Sequence, residues 1–133
     1  MKSFLGLMAL LIFFEGTWLY QNKPLAQSIS DGKEIYEDFC LQCHLENGQG
    51  VSGVFPPLAK SDYLLNDIDL SIKGIKYGLS GPIVVNGEPY DGVMQNQGLD
   101  EGEIADVMNY ILNNWGNSYK EMITLERVAG ITK

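Results

Sequence analysis

Both cysteines and the only histidine of this 133-residue chain fall within five positions, in FCLQCHLENGQG, residues 39–50. Cys40, Cys43 and His44 are nucleophilic or metal-ligating side chains, and few chemistries use all three at this spacing. A Cys-x-x-Cys pair can cycle between dithiol and disulfide, usually at a helix start that follows a strand. Here a helical pattern precedes the pair and no alternating strand lies upstream. A structural disulfide across two residues closes a tiny loop and adds little constraint. Neither use gives the adjacent histidine a task. Structural zinc needs four protein ligands, and the chain has no further Cys or His. Cys-x-x-Cys-His is also the attachment pattern of a c-type haem. Two thiols add to the two porphyrin vinyl groups, two intervening residues span their separation, and the next residue turns back to the iron. Neutral imidazole is a good iron ligand, and His44 is the one candidate.

The surrounding elements must carry that turn. Asp31 and Glu34 have the spacing of a capping box for a helix starting near Gly32, with Ile35, Tyr36 and Phe39 on one face. That helix runs straight into Cys40. From Leu45 to Leu58 the glycines and the segment FPPL predict a loop, since prolines 56 and 57 exclude regular helix. Short helices are expected from Ser61 to Asn66 and from Asp69 to about Gly78. Asn86-Gly87 is a two-residue hairpin signal, and GVMQNQG continues as loop. The clearest helix is LDEGEIADVMNYILNNWG, capped by Asp100 and stopped by Gly116, with Ile104, Val107, Met108, Ile111 and Leu112 on its apolar face. A short final helix is expected from Thr124.

The length fits one domain, and an apolar fraction of 45% with 20% charged residues suits a packed core. A formal charge of −8 excludes the basic face that a nucleic-acid binder needs. It equally disfavours docking on anionic lipid through a polybasic patch. At the N-terminus, Lys2 precedes the apolar run FLGLMALLIFF, Phe4 to Phe14, which is short for a membrane span and typical of a secretory signal. The expected organisation is a signal peptide over residues 1–26, or an uncleaved anchor, and one domain over 27–133. Export to the periplasm follows from it.

With these motifs, residues 31–116 resemble the single-haem class I cytochrome c family. The resemblance implies an all-α fold, a few helices with long loops wrapped around one covalent haem c. It also implies a methionine as second axial ligand from a later loop. Met94, 50 residues after His44 and just before the last long helix, stands where that ligand is expected. Pro56 resembles the family proline whose carbonyl accepts a hydrogen bond from the proximal histidine. Gly32 and Tyr36, with Val107 and Tyr110, match the positions where the first and last helices pack crosswise. Two departures stand out. The residue after the attachment histidine is often glycine and here is Leu45, and the residue after the ligand methionine is often proline and here is Gln95.

The function so implied is one-electron transfer, with no open catalytic position and no small-molecule substrate. Its partners would be redox proteins: a periplasmic dehydrogenase or reductase, or a terminal oxidase. Glu88, Asp91, Asp100, Glu101 and Glu103 flank Met94 in sequence and are candidates for an acidic docking rim. A different class, a haem enzyme or gas sensor, would use Gln95, Asn96 or Gln97 at a sixth site opened by withdrawal of Met94. A third possibility is a subunit bound permanently to a larger dehydrogenase or reductase.

Overall fold

The computed structural model describes residues 23–133, so the apolar run at 4–14 lies outside the described residues. The helices are α1 (Leu25–Phe39), α2 (Leu41–His44), α3 (Asp62–Asn66), α4 (Ile68–Tyr77), α5 (Glu101–Leu112) and α6 (Leu125–Gly130). Four short strands lie between α4 and α5: β1 (Leu79–Ser80), β2 (Ile83–Val85), β3 (Glu88–Tyr90) and β4 (Val93–Met94). They form two antiparallel pairs. β2 and β3 make the Asn86-Gly87 hairpin, both turn residues having positive φ. β1 pairs with β4, so the segment expected as loop around Met94 is tied to Leu79. The fold is mostly helical with long connections. Among the described residues no helix is long and apolar enough to cross a membrane.

α1 starts earlier than its sequence signals suggest. Pro24 occupies the position before the helix, and its lack of an N–H costs nothing there. Asp31 lies inside α1, not at its end. Its carboxylate takes the Gln27 side chain at 2.7 Å and the Lys23 ammonium at 2.6 Å instead of capping backbone. The buried positions of α1 are Ser28, Gly32 and Tyr36, spaced four apart on one stripe. Small residues at two of them let α1 cross α5 closely: a Cβ on Gly32 would lie 2.0 Å from the Asp106 carbonyl oxygen.

α5 is the centre of the core, buried at Gly102 and throughout Ile104–Leu112. Asp100 caps it in a reciprocal capping box with Glu103. It ends at Leu112, four residues before Gly116. The Asn113 and Asn114 carboxamides donate to the Asn109 and Tyr110 carbonyls at 2.9 and 2.7 Å, and Trp115 then turns the chain at φ 54.

Two buried polar side chains of α5 reach across to its neighbours. Asp106 accepts from Lys23 and from the Ser28 hydroxyl, both at 2.6 Å. Asn109 donates to the Ser28 hydroxyl at 2.9 Å, and pairs with both backbone groups of Ile123 at 2.8 and 2.9 Å. The segment after α5 is therefore part of the core, with Ile123 and Val128 fully buried. Lys76 and Tyr77 of α4 hold its last carbonyls, at Val128 and Ile131.

Candidate functional site

α1 delivers the chain to Cys40, whose N–H still donates to the Tyr36 carbonyl at 2.9 Å. The single turn of α2 follows, with Cys43 and His44 N–H groups donating to the Cys40 carbonyl at 3.2 and 2.9 Å. Residues at i, i+3 and i+4 share a helix face, so Cys40, Cys43 and His44 project to one side. All three are half-buried. The two cysteines, both among the described residues, are not disulfide-bonded. Burial, and then the neighbouring Cys43, pushes the Cys40 thiol up to about 12. A redox dithiol is activated by the opposite shift, so the burial of Cys40 disfavours that use of this thiol.

Burial pushes His44 below the ordinary imidazole value, against the pull of its bond to Pro56, and keeps the ring neutral at pH 7. Its Nδ1–H donates to the Pro56 carbonyl oxygen at 3.0 Å. The other nitrogen, Nε2, thereby carries the lone pair.

The loop that returns Pro56 to His44 depends on close backbone approaches. Gly50, at φ 60, donates its N–H to the His44 carbonyl at 3.0 Å. A Cβ there would lie 2.2 Å from the Phe55 oxygen and 2.7 Å from the Pro56 oxygen. Gly48 accepts from Leu58 and Ala59 at 2.7 and 2.9 Å and lies under the Trp115 ring, where a Cβ would be 2.5 Å from Cε3. Asn117 fixes the far side of the loop through Lys60 N–H, the Leu58 carbonyl and the Ile111 carbonyl. Sequence reasoning missed Asn117, Ser28 and Asn109. Nothing in their local sequence separates them from the exposed polar residues nearby.

Met94 is half-buried on β4, opposite Leu79. Gly78, at φ 84, leaves room for the Met94 carbonyl, which a Cβ would meet at 3.0 Å. Met108 is fully buried within α5 and is spent on the core. Met122 lies between α5 and α6 beside Ile123 and Thr124. The Met94 and His44 sides meet at one edge. The Ser52 hydroxyl bonds the Glu88 carboxylate, Tyr90 donates to the same carboxylate at 2.9 Å, and a Cβ on Gly92 would lie 3.7 Å from the Val54 oxygen.

Large apolar side chains stand exposed on both sides of that edge: Val51, Val54 and Phe55 beside Pro56, and Val93 beside Met94, the last 67% exposed. Apolar surface of this kind suits a flat apolar macrocycle. Together with two thiols on one face and a neutral imidazole presenting Nε2, the residues fit a covalent haem.

The acidic residues flanking Met94 do not form one free rim. Glu88 is engaged by Ser52 and Tyr90, Asp100 and Glu103 cap α5, and Glu101 pairs with Lys76 at 3.5 Å. Asp91 is exposed. The amides after Met94 are also used locally: Gln97 donates to the Gln95 carbonyl at 2.9 Å, and Asn96 accepts from Gly98 N–H at 2.7 Å.

Comparison with known proteins accords with this site. The family described as Cytochrome c matches residues 29–115. A cytochrome c-552 of Thermus thermophilus is 42% identical over 101 residues, covering 72% of this chain and 68% of its own. The cytochrome c subunit of a quinone alcohol dehydrogenase from Gluconobacter oxydans is 33% identical over 91 residues, 65% of this chain and 19% of that one. A gluconate 2-dehydrogenase cytochrome c subunit from Pantoea cypripedii is 31% identical over 106 residues, 77% of this chain and 24% of that one.

Proposed function

Because this chain belongs to the cytochrome c family and is a haem-based electron carrier with covalently bound haem c, we propose that it works with His/Met axial ligation. Cys40 and Cys43 hold the group through thioethers, His44 Nε2 is the proximal ligand and Met94 Sδ the second. One observation carries the reading: a single helical turn presents Cys40, Cys43 and His44 on one face while Pro56 occupies His44 Nδ1. The bound haem supplies a one-electron couple, and methionine ligation favours its reduced form. The chain's own residues hold the geometry constant between oxidation states. Pro56 fixes the imidazole tautomer and ring direction. Asn117 and Gly48 fix the loop that carries Pro56, and the Ser52–Glu88 contact ties that loop to the Met94 side.

The partners in this reading are redox proteins, of the dehydrogenase kind suggested by the relatives named as dehydrogenase subunits. The apolar run from Phe4 to Phe14 belongs to an export leader, and the folded unit begins by Lys23, earlier than residue 27. Support comes from Leu25 opening α1 and from the bonds Lys23 makes to Asp31 and Asp106.

The test is the visible spectrum of protein matured with c-type haem, in both oxidation states, with Met94→Ala beside it. Covalent haem with the weak red ferric band of sulfur ligation, lost in Met94→Ala and kept in Met122→Ala, is the expected result. A red band that survives Met94→Ala would remove Met94 from the ligand set, and absence of covalent haem would overturn the whole assignment.

A further inference from the structure

Leu45, the residue on which the chain leaves the Cys40–His44 turn, has φ 64 and ψ 169. A residue with a Cβ enters that region only where its surroundings hold it there. Leu45 is held on both sides of its α-carbon. Its N–H donates to the Leu41 carbonyl at 2.9 Å, and its carbonyl accepts the Gly48 N–H at 3.1 Å and the Tyr36 hydroxyl at 2.7 Å.

The Tyr36 hydroxyl has little freedom to be elsewhere. Its side chain is 1% exposed and wedged against Tyr110 and Trp115, with ring centroids 5.4 and 5.0 Å away. Trp115 also covers Gly48, the other donor to the Leu45 carbonyl. One aromatic cluster thus stands behind both bonds. His44, next in the chain, is fixed at its ring by Pro56 and at its carbonyl by Gly50. Its C-terminal neighbour is the strained residue.

We propose that Tyr36 is a positioning residue for His44: its hydroxyl holds Leu45 in the left-handed conformation and so sets where the His44 main chain and imidazole sit. This rests on the reading of His44 as an axial ligand. The competing explanation is that the hydroxyl merely satisfies itself on a convenient carbonyl inside the core.

Glycine reaches φ 64 without strain, so Leu45→Gly removes the need for the tether. The experiment compares Tyr36→Phe, Leu45→Gly and the double variant, each with haem attached, by midpoint reduction potential and by denaturant resistance. Tyr36→Phe is expected to shift the potential and weaken the fold, and both effects largely disappear in the Leu45→Gly background. An unshifted potential in Tyr36→Phe, or the same shift in both backgrounds, would overturn the proposal. Should Tyr36→Phe fail to mature, recovery of haem protein in the double variant supports it, and continued failure overturns it. The same spectra separate the two readings: a parent protein without the red sulfur band indicts the axial ligands, not Tyr36.

Discussion

The Ser52 hydroxyl bonds the Glu88 carboxylate across 36 residues, joining the loop that follows His44 to the hairpin that precedes Met94. Hydrogen bonds from Ser52 and then Tyr90 hold Glu88 below its ordinary value of 4.5. A depressed folded-state value means the contact stabilises fully above about 4.5 and fades as pH falls through the lower folded value. The carboxylate is solvent-exposed, so the effect is small. Denaturation midpoints of the parent and Glu88→Gln should differ at neutral pH and converge in acid. A gap that widens on acidification would contradict the sign. In the haem protein, weakening this edge should also let an added ligand such as imidazole displace the proposed Met94 ligand more readily in Glu88→Gln.

Gly50 controls the distance between the Pro56 carbonyl and His44. Alanine there meets backbone oxygens at 2.2 and 2.7 Å from a residue at φ 60, so the loop itself must move. The expected cost is roughly 3 kcal/mol, from overpacking and the left-handed backbone together. Loss of the His44–Pro56 bond makes the imidazole a poorer donor, which destabilises ferric haem and raises the midpoint potential. Spectroelectrochemistry reads the direction directly, and a lowered potential would show that the carbonyl does not act through His44.

The crossing of α1 on α5 admits a similar test in the core. An alanine Cβ at Gly32 would lie 2.0 Å from the Asp106 oxygen and 2.9 Å from Tyr110 Cβ, so the helices must separate. Gly32→Ala should lose about 3 kcal/mol or more in chemical denaturation, because the clash is with main chain. Gly130→Ala, where a Cβ meets nothing within 4 Å, should change stability by less than about 1 kcal/mol. Equal effects at the two glycines would mean that the crossing sets no cost and that only the change in helix propensity is being read.

The parts of this fold legible in the sequence are those decided within a few residues. Ser61, Asp100 and Thr124 cap the helices they precede, Asn86-Gly87 turns its hairpin, and the Cys40–His44 turn is written in three residues, Cys40, Cys43 and His44. Features decided by distant partners were not legible. Asp31 has the local pattern of a cap, but Lys23 and Gln27 take its carboxylate and α1 runs on from Leu25. Asn109 and Asn117 look like surface residues until Ser28, Ile123 and Leu58 are folded beside them. Leu45 departs from the glycine expected after the histidine, yet keeps the backbone conformation that glycine would adopt. The resemblance flagged the position, and only the fold gives the strain.

Lys23 offers the sharpest test of where the domain begins. Its ammonium lies 2.6 Å from both Asp31 and Asp106, and Asp106 is in turn bonded to buried Ser28. Processing after Ala26 would remove Lys23, the Pro24 start and the first two residues of α1. It would also leave a new positive terminus at the helix N-terminal end, where the dipole disfavours it. Intact mass of the exported protein should therefore place the mature N-terminus at or before Lys23. Lys23→Met should cost roughly 1–3 kcal/mol, since the largely buried Asp106 side chain would lose its hydrogen-bonded ammonium partner. A mature chain that starts at Gln27 and is as stable as one retaining Lys23 would refute both expectations, and would reduce the Lys23 contacts to surface decoration.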